Sequence, residues 1–299
     1  MNSVLKKTRP LRPKRTGTAA NLRRLLAGWR GRAETIGFVP TMGALHAGHL
    51  ALLRRARHEN DRVLVSIFVN PTQFGPHEDF KRYPRPWARD LHLLAQAGAD
   101  AVFNPIAAEL YPASTGGVRA SVLAQPMLSQ GLCGRYRPGH FDGVCTVLAK
   151  LFNVVGSCRA YFGEKDFQQL RVIEAMVSEL CFPIEVRPCA TVRETAGLAM
   201  SSRNAHLSTR ERQAALVLWQ ALLGAGLLAQ QGERRVAQIK KKIRQVFKSE
   251  PLLKLQYCEV CSEDDLQPLA IVPTKAPYAR MFVAGFVGQT RLIDNLRLL

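Results

Sequence analysis

At 299 residues and 47% apolar content, the chain can bury a sizeable core and has room for two domains. Its formal charge of +19 does not demand a nucleic-acid surface, because residues 1–33 hold ten Lys or Arg and no acid, so over half of the excess belongs to a leader. Seven scattered cysteines exclude a disulfide framework and suit a reducing cytoplasm, and the longest apolar run, Ala214–Ala229, is broken by Gln220 and two glycines and falls short of the roughly 20 residues of a bilayer span.

In chain order, residues 1–33 read as a basic leader followed by a first surface helix at Asn21–Trp29. An Arg-rich, acid-free start also fits an organelle transit peptide, and a tail plus helix is favoured over it. Residues 34–190 then alternate strand and helix patterns. Strands are expected at Thr35–Val39, Arg62–Val69, Ala101–Phe103, Arg159–Phe162 and Ile184–Arg187. Helices are expected at His49–His58, Trp87–Ala97, Phe141–Val155 and Asp166–Leu180. Short β-branched strands separated by helices predict an α/β fold: a doubly wound, Rossmann-like parallel sheet covered on both faces. Ligands bind such sheets at the C-terminal strand ends.

From about residue 191 to 299 a smaller C-terminal α+β domain is expected. Ser208-Thr209-Arg210-Glu211 forms a capping box that opens a helix to about Ala229. A second helix at Arg234–Lys248 and strands at Leu255–Val260 and Arg280–Val287 follow. Cys258-x-x-Cys261 looks like half a zinc site, but no second pair completes it, and residues three apart on a strand face opposite ways.

Both common nucleotide signatures, the Walker P-loop and Gly-x-Gly-x-x-Gly, are absent. Instead, His46-Ala47-Gly48-His49 follows an apolar strand and opens a helix. A helix N-terminus offers N–H groups and a positive dipole end to an anion, two imidazoles add donors, and Gly48 allows close approach. Downstream, Gly163-Glu164-Lys165-Asp166 heads a helix, and Met200-Ser201-Ser202-Arg203 sets hydroxyls beside a guanidinium suited to phosphate.

Six blocks carry a family resemblance over residues 34–299. They are Val39–Leu50, Val65–Phe74, Arg137–Gly143, Tyr161–Leu170, Thr191–Leu207 and Thr290–Asn295. In order and spacing they resemble the pantothenate synthetases (pantoate–β-alanine ligases), of the His-x-Gly-His nucleotidyltransferase group. The resemblance implies ATP-dependent condensation of pantoate with β-alanine through pantoyl-adenylate, releasing pyrophosphate and AMP, with Mg2+ as companion of the nucleotide and a homodimeric, cytoplasmic enzyme.

Residue by residue, it implies that Met42, Gly43, Ala44, Leu45, His46, Ala47, Gly48 and His49 hold ATP, with His46 and His49 donating to phosphates. Gly163, Glu164, Lys165 and Asp166 would hold ribose and phosphate, Val192 the adenine, and Met200, Ser201, Ser202 and Arg203 the triphosphate. His46, His49, Lys165, Ser201, Ser202 and Arg203 are thus the catalytic candidates. Gln73 and Gln169 would bind pantoate, with Phe162 and Val147 around its methyl groups; Asn70 and Gln73 would meet β-alanine, and Arg137 would support the site.

Four positions depart from the family pattern: Ala47, Arg89, Ala196 and Gln256 stand where acids are usual. They leave Asp90 as the one protein candidate for Mg2+. A relative acting on another acid would lack the two glutamines, and a non-catalytic nucleic-acid binder would need exposed aromatics, which at 7% fall mainly in core-like segments. Small-molecule substrates are expected, with neither membrane nor nucleic acid as partner.

Overall fold

The computed structural model describes residues 12–76, 78–112 and 120–298. Residues 1–11, the start of the expected leader, lie outside that range. The chain forms two compact units: residues 12–122, 142–162 and 177–189 in the first, and 123–141, 163–176 and 190–298 in the second. The sequence pattern places boundaries at 33/34 and 190/191. Instead the units interleave along the chain, with crossings inside two helices.

The first unit is built on a parallel sheet of order β1-β4-β3-β2-β5-β6. Its strands are β1 (Lys14–Thr16), β2 (Ile36–Thr41), β3 (Arg62–Ile67), β4 (Ala101–Phe103), β5 (Cys158–Gly163) and β6 (Ile184–Cys189). The inner strands are apolar on both faces, as a sheet covered by helices requires. Helices α1 (Ala19–Arg30), α2 (Ala47–Glu59), α3 (Trp87–Gln96) and the short α4 (Ala107–Leu110) connect them. Val39, Leu53, Val65, Leu94 and Val102 lie in one of its apolar clusters.

The leader expectation needs correction from residue 12 onward. β1 pairs in parallel with β4, Lys14 opposite Ala101 and Thr16 opposite Phe103, and α1 buries Leu22, Leu26 and Trp29. A three-residue strand carrying Lys and Arg gives too little apolar signal to be seen in the sequence.

The second unit begins with short helices α5 (Pro126–Ser129) and α6 (Leu132–Tyr136). Helices α7 (His140–Val155) and α8 (Phe167–Glu179) contain the crossings between units. Two further helices, α9 (Thr209–Gln230) and α10 (Val236–Lys248), pack against an antiparallel sheet of β7 (Leu253–Ser262), β8 (Ala279–Val287) and β9 (Thr290–Leu298). The Ser208–Glu211 capping box forms as read. The sequence pattern does not predict β9, the strand that contains the Thr290–Asn295 block. By length and composition α9 is apolar enough to cross a membrane, contrary to the sequence reading. Leu218, Ala221, Leu222 and Ala225 of this helix are instead buried in the unit's core.

Candidate active site

In the first unit, the parallel register Thr41↔Ile67 brings the loops after β2 and β3 to the same end of the sheet. The β2 loop turns sharply at Gly43, whose φ is +83° and where a Cβ would meet Asp90 and Ile67 at 3.0 Å. Asp90, at the start of α3 and 1% exposed, accepts from Ala44 N (2.8 Å) and Leu45 N (2.9 Å). The N–H groups of Ala44 and Leu45 are thus spent within the protein, and Asp90 is a buried clamp on the loop. Among the described residues, no three His, Cys, Asp or Glu side chains cluster to hold a metal ion.

His46 and His49 cap α2 reciprocally. Gly48 N donates to His46 Nδ1 (3.2 Å), and His46 N donates to His49 Nδ1 (3.4 Å). The rings lie 4.0 Å apart, tilted by 35°. Because each Nδ1 accepts, each neutral ring carries its proton on Nε2. The reason for two histidines at this spacing is thus partly structural: each fixes the tautomer of a potential phosphate donor.

After β3, Asn70 caps a short 3-10 turn. Its Oδ1 accepts from Tyr111 OH (2.8 Å), Thr72 Oγ1 (3.0 Å) and Thr72 N, while its Nδ2 donates to Gly143 O (3.0 Å) and Gln73 Oε1 (3.2 Å). At 1% exposure and with its amide so fully engaged, Asn70 ties the loop after β3 to Tyr111 and Gly143. Gln73 reaches across to Met42, donating to its Sδ, so the two loops named from the sequence do touch.

In the second unit, Gly163 leads into the 3-10 turn Glu164–Asp166 at the head of α8. Asn295 pins this turn, donating to Glu164 O and Lys165 O (both 2.9 Å). Arg280 donates to Asn295 Oδ1 and to Glu263 Oε1 (2.7 Å), lies 3.9 Å over the Phe167 ring, and faces the Glu164 carboxylate at 3.6 Å. Glu164 therefore turns its side chain to Arg280, leaving Lys165 and Asp166 to line the pocket. Asp166 is 47% exposed; burial works against its charge, but Lys165, Arg203 and His140 outweigh this and hold the carboxyl below its ordinary value.

The segment after residue 190 folds back on itself. Arg193 bridges Ala199, and Met200 N donates to Val192 O (2.9 Å), so two expected nucleotide contacts lie side by side. At the turn, Gly197 has φ +103°, and a Cβ there would stand 2.2 Å from Trp219. Asn204 ties the loop down through Glu194 and Ala199 O (both 3.0 Å). Ser201 then caps the 3-10 turn that starts at Ser202, accepting from Arg203 N.

Arg137, Lys165, Ser201, Arg203 and Arg291 converge on one pocket, which Asp166 and Asp294 also line. An adjoining recess adds Gln169 and His140. Gln168, beside Gln169, is consumed by Cys133 N and the carbonyls of Leu128 and Gly131 (each 2.9 Å). Arg291 and Asn295 lie in a block noted in the sequence, yet nothing in its spacing distinguished a pocket cation or a buried clamp. Cys258 and Cys261 are buried thiols pushed up to about 12 by burial.

The model of the pantoate–β-alanine ligases matches residues 14–297. The chain belongs to that family. It is 50% identical over 281 residues to the pantothenate synthetase of Rubrobacter xylanophilus, covering 93% of this chain and 96% of that one. The crystal structure of the Thermus thermophilus pantothenate synthetase superposes with a TM-score of 0.88 at 46% identity, over 95% and 99% of the two chains. A pantoate–β-alanine ligase from Francisella tularensis, solved with an ATP compound and β-alanine, gives 0.78 at 32% identity over 95% and 97%. Membership makes this chain a ligase that joins the carboxylate of pantoate to the amine of β-alanine. The family match starts at β1, in keeping with that strand's place in the sheet.

Proposed function

We propose that this ligase activates pantoate with ATP as pantoyl-adenylate before the amine enters. The pantoate carboxylate attacks the α-phosphorus and pyrophosphate leaves with the bond electrons. The β-alanine amine then attacks the acyl carbon, loses a proton and expels AMP. Chemistry of this kind depends on positioning and on stabilising phosphate charge, so it calls for donors rather than a covalent nucleophile.

The observation that carries this reading is the second unit's pocket, where Arg137, Lys165, Arg203 and Arg291 surround a space with Ser201 at its edge. Four cations and a hydroxyl suit a polyphosphate. The Francisella relative's complex with an ATP compound and β-alanine supports the same substrates. In the first unit, His46 and His49 would donate through Nε2 to phosphate oxygens, with Gly48 allowing approach. Gln169, in the adjoining recess, and Gln73 would meet pantoate. Val192 and Met200 to Arg203 would serve the adenine and the triphosphate.

Mg2+ would come with the nucleotide, held by phosphate oxygens and water, since Asp90 is committed to Ala44 and Leu45. A cytoplasmic setting is supported by seven free cysteines, and a homodimer by the family alone.

The test is ATP–pyrophosphate exchange with pantoate present and β-alanine absent. Pantoate-dependent exchange is expected. Pantothenate formation without any such exchange would overturn the adenylate route.

A further inference from the structure

Arg291 is a half-buried cation that, among the described residues, makes no ion pair with an acid. On β9 it lines the pocket that also holds Arg137, Lys165 and Arg203. Its Nε donates to Gln256 Oε1 (2.9 Å) and its Nη2 to Cys133 Sγ (3.4 Å), while the Tyr257 hydroxyl is its third polar neighbour. All three are neutral partners. Its charged neighbour is Arg203, which repels it. Asp294, three residues along the strand, is taken by Arg193 through two hydrogen bonds, and Asp166 sits with Lys165.

Withdrawing a guanidinium from water is costly unless an opposite charge meets it. A guanidinium held among neutral partners in a pocket lined by further cations makes sense if an anion arrives from outside. Gln256 and Cys133 meanwhile hold the plane of the Arg291 fork, and its further N–H donors can grip an anion through two oxygens.

We propose that Arg291 is a further anion-binding residue of this pocket, gripping the oxygens of a diphosphate group, as pyrophosphate or as the terminal phosphates of ATP. The inference rests on reading the pocket as the polyphosphate site. It adds a residue that neither the histidine motif nor the serine–arginine loop contains.

Calorimetric titration of the full-length protein with pyrophosphate tests it. Arg291→Gln should weaken binding by about tenfold to a hundredfold, the range for a lost charge-assisted contact, with Arg291→Lys in between and the KM for pantoate unmoved. A folded Arg291→Gln protein that binds pyrophosphate as the parent does would overturn the proposal. So would one that loses affinity for pantoate instead. Should Arg291→Gln fail to fold, the parent can be modified with phenylglyoxal with and without pyrophosphate and its peptides weighed. Protection of Arg291 is expected, and equal modification in both samples would overturn the assignment. A parent that binds pyrophosphate through Arg291 yet makes no pantothenate would instead sink the ligase reading and leave this anion site standing.

Discussion

Asn295 holds the backbone of Lys165 in place: one side-chain amide donates to the carbonyls of both Lys165 and Glu164, while its oxygen accepts from Arg280. Asn295→Ala would remove the donor to both half-buried carbonyls and one acceptor of the buried Arg280. We expect a loss of about 2–4 kcal/mol in urea unfolding and a raised KM for ATP, because the lysine's turn is no longer fixed. Parent-like stability would show that water replaces the amide without cost.

The same network predicts an acid limb. Glu263 is buried, which opposes its charge, yet the hydrogen bond from Arg297 and the proximity of Arg280 outweigh burial and hold its carboxyl below the ordinary 4.5. The unfolded chain then binds the proton more readily than the folded one. Its stabilisation is present above pH 4.5 and is lost as pH falls through the lowered folded value. Unfolding midpoints measured from pH 6 to pH 3 should slope less for Glu263→Gln than for the parent.

Asp90→Asn should loosen the histidine loop. An amide can accept from Ala44 N or from Leu45 N, but its NH2 then faces the other donor. A cost of about 1–3 kcal/mol follows, with faster amide exchange at residues 44 and 45. Unchanged exchange at both positions would remove Asp90 from its role as clamp.

His49→Ala should lower pantoate-dependent pyrophosphate exchange by about 10²–10³, the loss typical of one donor to developing charge. The ring also takes the His46 N–H, so a small loss of stability accompanies it. A folded variant with near-parental turnover would take His49 out of the mechanism.

Deleting residues 1–15 removes most of β1 and uncovers the β4 edge, where Lys14 N donates to Asp100 O (2.8 Å). A loss of about 1–3 kcal/mol and a lower Tm are expected, with aggregation at the bared edge. An unchanged Tm would return β1 to the status of a tail.

The sequence by itself determined the parallel α/β unit, the helix after residue 208 and the motifs on their loops. Each is written locally, as apolar periodicity, a capping box, or a His-x-Gly-His at a strand end. Tertiary structure decided which polar side chains remain for a ligand. Asn70 and Gln73 read alike in the chain, as do Gln168 and Gln169, and Asp90 reads like any surface acid. In the fold, Asn70, Gln168 and Asp90 spend their hydrogen bonds on partners 35 to 73 residues away. Arg291 shows the converse, an ordinary strand residue whose partners, Gln256 on β7 and Cys133 on α6, are neutral, leaving its charge for the pocket. Hydrogen-bonding capacity is local to a residue, but its consumption is settled by long-range packing, and so the chemistry of this site was only half legible before the fold was known.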